Sequence, residues 1–190
     1  MEIRHLVTGP LSVNTYIVFC KETKQGAVID PGGNADRIIS LLRKEKIILT
    51  HILLTHGHFD HIGGVSNLKQ NTHATVCIHS LDKEMLTNPA ENLSLLMGAE
   101  CIQPKPDVLL HDGDMLQIGN LEVHVLDTPG HSPGSVTYKI GETLFAGDSI
   151  FRSSIGRTDF PGGSFDQLMH SINARILTQE QQFTDLPRAR

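Results

Sequence analysis

The run Ile47-Ile48-Leu49-Thr50-His51-Ile52-Leu53-Leu54 is almost continuously apolar and rich in β-branched residues, and it stops abruptly at Thr55-His56-Gly57-His58. A strand without apolar/polar alternation is buried on both faces, so its sheet must be covered on both sides. That requirement points to a layered α/β chain in which helices pack on sheets. Other segments fall in with it. Residues 16–19 and 27–29 read as strands separated by a polar turn over 21–25, and Asp30-Pro31-Gly32-Gly33 is a stop. Asn34 is expected to cap a helix whose Ile38, Ile39, Leu41 and Leu42 recur at helical spacing. A short helix over 62–70 and a strand over 74–78 follow. A helical pattern over 81–87 is stopped by Asn88-Pro89, and the stretch to 105 reads as an irregular cover.

From residue 107 the pattern is all β. Hairpin signals at Asp112-Gly113, Gly119-Asn120 and Gly141-Glu142 lie among runs at 115–118, 121–127, 135–140 and 143–146. Ser164 opens a final helix, with Gln167 completing a capping box and Phe165, Leu168, Met169, Ile172 and Ile176 forming one stripe. The reading is one domain over 1–178 followed by a divergent polar tail over 179–190.

Composition narrows the function. The chain has 16 Lys+Arg against 21 Asp+Glu, a formal net charge of −5. That balance argues against a nucleic-acid partner and against a polybasic membrane surface. No apolar run is long enough to span a bilayer and no signal-peptide core opens the chain, so a cytoplasmic protein is expected. Three widely spaced cysteines form no disulfide framework. Eleven histidines are present, and where they fall matters more than their number.

His56-Gly57-His58-Phe59-Asp60-His61 crowds metal-capable side chains where the buried strand runs out. On an extended strand end His56 and His58 point the same way, so two imidazoles can reach one ion. Asp60 and His61 lie beyond the turn and can face a neighbouring position. His131 follows another strand on a Pro129-Gly130 turn, and Asp148 ends the next hairpin after Gly147. Together these supply His56, His58 and His131 for one metal and leave Asp60, His61 and Asp148 for a second. The spacing is not that of a closed cysteine-rich zinc site, which favours a catalytic centre with open positions.

The ordered motifs His-x-His-x-Asp-His, Thr128-Pro129-Gly130-His131-Ser132-Pro133-Gly134-Ser135 and Ala146-Gly147-Asp148-Ser149, with Asp30 after an apolar strand, resemble the metallo-β-lactamase fold superfamily. The stretch from Phe151 through Gly156-Arg157-Thr158-Asp159-Phe160 to Gly163 is similar to that of the short type II glyoxalases, the hydroxyacylglutathione hydrolase-like proteins. The resemblance covers roughly 3–177. It implies an αββα sandwich with a dinuclear centre at one edge: His56, His58 and His131 on the first metal, Asp60 and His61 on the second, Asp148 bridging. The implied cofactor is zinc, up to two ions, with iron or manganese as alternatives. The implied reaction is cleavage of a small-molecule thioester such as S-2-hydroxyacylglutathione by a metal-bound hydroxide, since a metal lowers the pKa of bound water toward about 7. A thiolate leaving group, of conjugate-acid pKa about 8.5, scarcely needs a general acid. Asp60 could double as proton acceptor. In the resembling enzymes a basic residue at the position of Arg157 meets a glutathione carboxylate; the other reading of Arg157 is an internal salt bridge to Asp159.

The family pattern closes with a further strand, a Pro-Gly-His-Gly turn and a helix, and no histidine follows His170 here. The C-terminal strand and helix are therefore expected to be missing, and the second metal to bind weakly. Two competing readings follow: a mononuclear iron persulfide dioxygenase on the same fold, which needs two histidines and a carboxylate, and an inactive isoform with a binding or regulatory role. β-Lactam hydrolysis is disfavoured, because many true β-lactamases carry cysteine at the position of Asp148.

Overall fold

A computed structural model describes residues 1–179. The proposed 179–190 tail lies, apart from Gln179, outside the described residues. Two sheets pack face to face. The first has six strands in the order β1-β2-β3-β4-β5-β6: β1 (Glu2–Thr8), β2 (Val13–Phe19), β3 (Gln25–Ile29), β4 (Ile48–Leu53), β5 (Thr75–His79) and β6 (Val108–Leu110). Strands β1 to β3 are antiparallel and β3 to β6 parallel. The second has four antiparallel strands in the order β10-β9-β8-β7: β7 (Met115–Ile118), β8 (Leu121–Asp127), β9 (Val136–Ile140) and β10 (Thr143–Phe145). A short hairpin, β11 (Ile150–Phe151) with β12 (Ser154–Ile155), follows.

The layers are those of an αββα sandwich. Helices α1 (Ala35–Glu45) and α3 (Val65–Thr72) bury Ile38, Ile39, Leu42, Val65 and Leu68 against the outer face of the first sheet. Val18, Ile29, Leu53, Val125, Val136 and Tyr138 fill the space between the sheets. Helix α4 (Phe165–Ser171), continued by a π-helical turn over Ile172–Ile176, packs Leu168, Ile172 and Ile176 against Leu144 and Ile150. The central strand β4 has both faces covered, as its unbroken apolar run requires; Ile52 and Leu53 are wholly buried.

Four local expectations are corrected. Asn34 sits in the left-handed region and does not cap α1; its Oδ1 accepts from the Gly9 N–H at 2.9 Å, tying the β1–β2 turn to the start of the helix. The helix expected over 62–70 is two, α2 (Phe59–Ile62) and α3, so Asp60 and His61 lie on a helical turn. The break falls at Gly63-Gly64, where a Cβ would come within 2.5 Å of Gly32 O and 2.9 Å of Pro31 O. Asp112-Gly113 is not a hairpin: it carries the chain from the first sheet to the second, β6 pairing with β5 and β7 with β8. The cover over 80–105 holds two 3₁₀ helices, Ser80–Leu86 and Ser94–Met97. The Ser164 cap forms, its Oγ accepting from the Gln167 N–H at 3.4 Å.

Candidate metal centre

The candidate ligands come from three strand ends and one helical turn that meet at one edge of the sandwich. His56 and His58 follow β4, Asp60 and His61 occupy α2, His131 lies on the turn between β8 and β9, and Asp148 follows β10. Rigid sheets below make such loops accurate platforms for chemistry.

The rings of His56, His58 and His131 are mutually near-perpendicular, each pair of centroids 4.7 Å apart. One ring nitrogen from each lies within 4.8 Å of the others, and all three residues are buried. His58 Nδ1 and His131 Nε2 approach to 2.9 Å, and His56 Nε2 is buried without any hydrogen-bond partner. A buried, unpaired imidazole nitrogen is costly unless something else meets it. Convergent nitrogens of this kind fit a divalent ion.

The outward nitrogens are held in the matching tautomer. Thr55 Oγ donates to Asp30 Oδ2 at 2.6 Å, so it accepts from His56 Nδ1–H at 3.1 Å and leaves the Nε2 lone pair aimed inward. The Thr55 N–H donates to Asp30 Oδ1 at 2.7 Å, fixing the carboxylate. His131 Nδ1–H donates to Arg157 O at 2.7 Å, freeing its Nε2 in the same way. Such outer partners orient ligands and raise their basicity.

A second group, His56, His61 and Asp148, meets the same 4.8 Å criterion and shares His56 with the first. His61 Nε2 is 3.3 Å from Asp148 Oδ1, and its Nδ1 lies 3.0 Å from Asp30 Oδ2 but off the line of a hydrogen bond. Asp60 stands beside this group, its Oδ2 3.7 Å from His61 Nε2. A cavity of about 770 Å³ reaches the centre from this side, lined by Asp60, His61 and Asp148 with Tyr16, Phe145 and Phe151.

Electrostatics separate the two groups. Burial, reinforced by the neighbouring imidazoles, pushes His56 well below its ordinary value and His58 down to about 3, so both present neutral nitrogens. Burial also presses on His61, but Asp148 and Asp30 outweigh it and raise the imidazole well above its usual range. Asp148 is pushed up by burial and pulled further down by His61, to about 2. The Asp60 carboxyl is raised, chiefly by burial.

Arg157 is bidentate to Asp159, at 2.9 and 2.7 Å, and its guanidinium lies 4.2 Å over the Phe160 ring. Phe160 in turn stands edge-on to His58 at 5.6 Å. His79 is buried; its Nδ1 accepts from the Leu81 N–H, and its Nε2 lies 3.4 Å from Asp127. Sequence reasoning missed two residues of this neighbourhood. Thr55 carried no signal beyond its place beside the motif, and Asp82 carried none at all.

The fold and this donor set define a metal-binding αββα protein. The metallo-beta-lactamase superfamily model matches residues 8–188, and the chain belongs to that superfamily. It is 35% identical over 181 residues to the probable metallo-hydrolase YqgX of Bacillus subtilis, covering 94% of this chain and 85% of that protein. It is 34% identical over 168 residues to the hydroxyacylglutathione hydrolase GloC of Haemophilus influenzae, covering 82% and 76%. Among solved structures, the BLEG-1 B3 metallo-beta-lactamase superposes with a TM-score of 0.89 at 38% identity, over 94% of this chain and 87% of that one. TTHA1623 in a di-iron-bound form gives 0.78 at 34%, over 90% and 84%. Among the described residues no helix is long and apolar enough to cross a membrane.

Proposed function

We propose that this chain is a metal-dependent hydrolase that cleaves a small-molecule thioester, such as an S-2-hydroxyacylglutathione. The observation that carries the reading is the pair of adjoining donor groups, one of which puts His61 and Asp148 in the lining of a cavity. Similarity to GloC supports the substrate class. Divalent metal held by these groups, zinc in this reading with iron or manganese as alternatives, supplies a water of pKa about 7 and polarises a carbonyl oxygen.

The chain's own residues then divide the work. His56, His58 and His131 would hold one ion; His61 and Asp148, which line the cavity, would hold a second beside it. Asp60, its carboxyl raised by burial at the cavity floor, accepts a proton and returns it. Phe160 walls the site above His58 and helps to exclude water. Arg157 meets a carboxylate of the thiol carrier by exchange with Asp159. Both members are exposed, at 65% and 66%, so solvent screens the pair and the exchange costs little. The net charge of −5 suits neither a nucleic acid nor an anionic membrane as partner, and three free cysteines suit the cytoplasm.

The test is loss of thioester absorbance on S-lactoylglutathione with metal-loaded protein. Turnover abolished in His56→Ala supports the reading; hydrolysis of a β-lactam in its place overturns it. One observation favours a second reading. His56, His61 and Asp148 form a set of two histidines and a carboxylate, the donor set of non-haem iron oxygenases. Oxygen uptake with glutathione persulfide, without thioester loss, would make the chain a persulfide dioxygenase. Neither activity after zinc or iron loading would leave a binding or regulatory protein.

A further inference from the structure

Outside the ligands, one fully buried carboxylate touches both loops that carry the three-histidine group. Asp82 lies on the 3₁₀ helix Ser80–Leu86 and has no exposed surface. Its Oδ2 accepts from the Gly57 N–H, between His56 and His58, at 3.1 Å. The same oxygen accepts from Ser132 Oγ at 2.6 Å, and Oδ1 accepts from the Gly134 N–H at 2.7 Å; both donors lie on the loop just after His131. Ser132 is itself braced, its N–H donating to Ser135 Oγ at 3.0 Å.

The packing is built to let the carboxylate in. A Cβ on Gly134 would lie 2.7 Å from Asp82 Oδ1, and one on Gly57 would lie 2.5 Å from Met85 Cβ. Both loops therefore approach the Ser80–Leu86 turn by bare backbone. A buried carboxylate is costly unless fully hydrogen-bonded, and here three donors from two separate loops supply that compensation.

We propose that Asp82 is a positioning residue that clamps the His56–His58 loop to the His131 loop and so sets the spacing of the three-histidine group. The proposal rests on the metal-centre reading above. An amide cannot replace it. Each carboxylate oxygen meets a backbone N–H, so whichever position takes the NH₂ of Asn faces a donor, and one of the two backbone bonds is lost. The Asp82→Asn substitution thus loosens the group without touching a ligand. Ser132→Ala removes one of the three bonds and leaves both backbone bonds in place.

The experiment titrates the metal-free full chain with cobalt(II), reading the ligand-field absorption bands, and measures zinc affinity by competition with a chromogenic chelator. Wild type, D82N and S132A are compared, with thermal midpoints of each metal-free protein. The expected result is a weakening of the tight equivalent by roughly 10–100-fold in D82N, the usual range for loss of an outer partner, with altered cobalt bands. S132A moves affinity in the same direction by less. If wild type binds no cobalt, the metal-centre reading fails and takes the clamp with it. If wild type binds and D82N keeps the same affinity and bands while only its thermal midpoint falls, Asp82 is merely structural and the clamp is overturned. Should D82N not fold, S132A decides: unchanged affinity and bands overturn the proposal.

Discussion

The two donor groups share His56 but differ in how they are held. In the first, the outward nitrogens of His56 and His131 are tied to Thr55 and to the Arg157 carbonyl, and burial keeps His56 and His58 neutral. In the second, His61 lies among carboxylates, Asp148 keeps a side chain 26% exposed, and the cavity opens beside it. Preorganised neutral nitrogens lose little on meeting an ion, whereas a histidine already paired with Asp148 must give up that pairing first. On the proposed metal-centre reading, the difference predicts tight binding at the three-histidine group and weaker, exchangeable binding at the group that faces the cavity.

The largest effect is expected where the two groups meet. His56→Ala should remove the tightly held ion and lower thioester turnover on the order of 10³-fold or more, about 4 kcal/mol of barrier; metal content and steady-state rates on protein shown to be folded check it. Asp148→Asn should break the groups apart. The tight equivalent stays while the weaker one and most activity go, a result read by metal content after dialysis. Thr55→Val sharpens the comparison from the other side. It severs the Asp30–Thr55–His56 relay and should cost roughly 10–100-fold in affinity at the tight equivalent.

The smallest effect is read in chelator-treated protein as a function of pH. His58 has a folded value near 3 against an unfolded value of 6.5, so between these the unfolded chain binds more protons. Stability should therefore fall as pH drops below about 6.5, and His58→Gln should flatten that limb. Asp148 behaves otherwise. Its value is depressed to about 2, so its contribution is present above about pH 4 and lost only as pH falls toward 2. Denaturant midpoints across this range separate the two.

Much of this was legible in the sequence. The apolar run 47–54 announced a doubly covered strand, and the side chains gathered at the edge of the sandwich were named from motifs at strand ends. Failures were of two kinds. Asn34 and Asp112-Gly113 carry local signals that tertiary contacts override, one by Gly9 and the other by a change of sheet. The Gly63-Gly64 break answers to the Pro31–Gly32 turn, far away in the chain. Thr55 and Asp82 were invisible for a different reason: their roles are hydrogen bonds across 25 to 52 residues of sequence, which no local pattern encodes. His56 also enters both groups, and Asp60, its Oδ2 3.7 Å from His61 Nε2, stands outside them.

The most direct test of this account is the metal stoichiometry of the purified full chain, by elemental analysis before and after exhaustive dialysis. Inequality of the two groups predicts one equivalent retained through dialysis and a second present only with metal in excess. Two equally retained equivalents, or none, would contradict it.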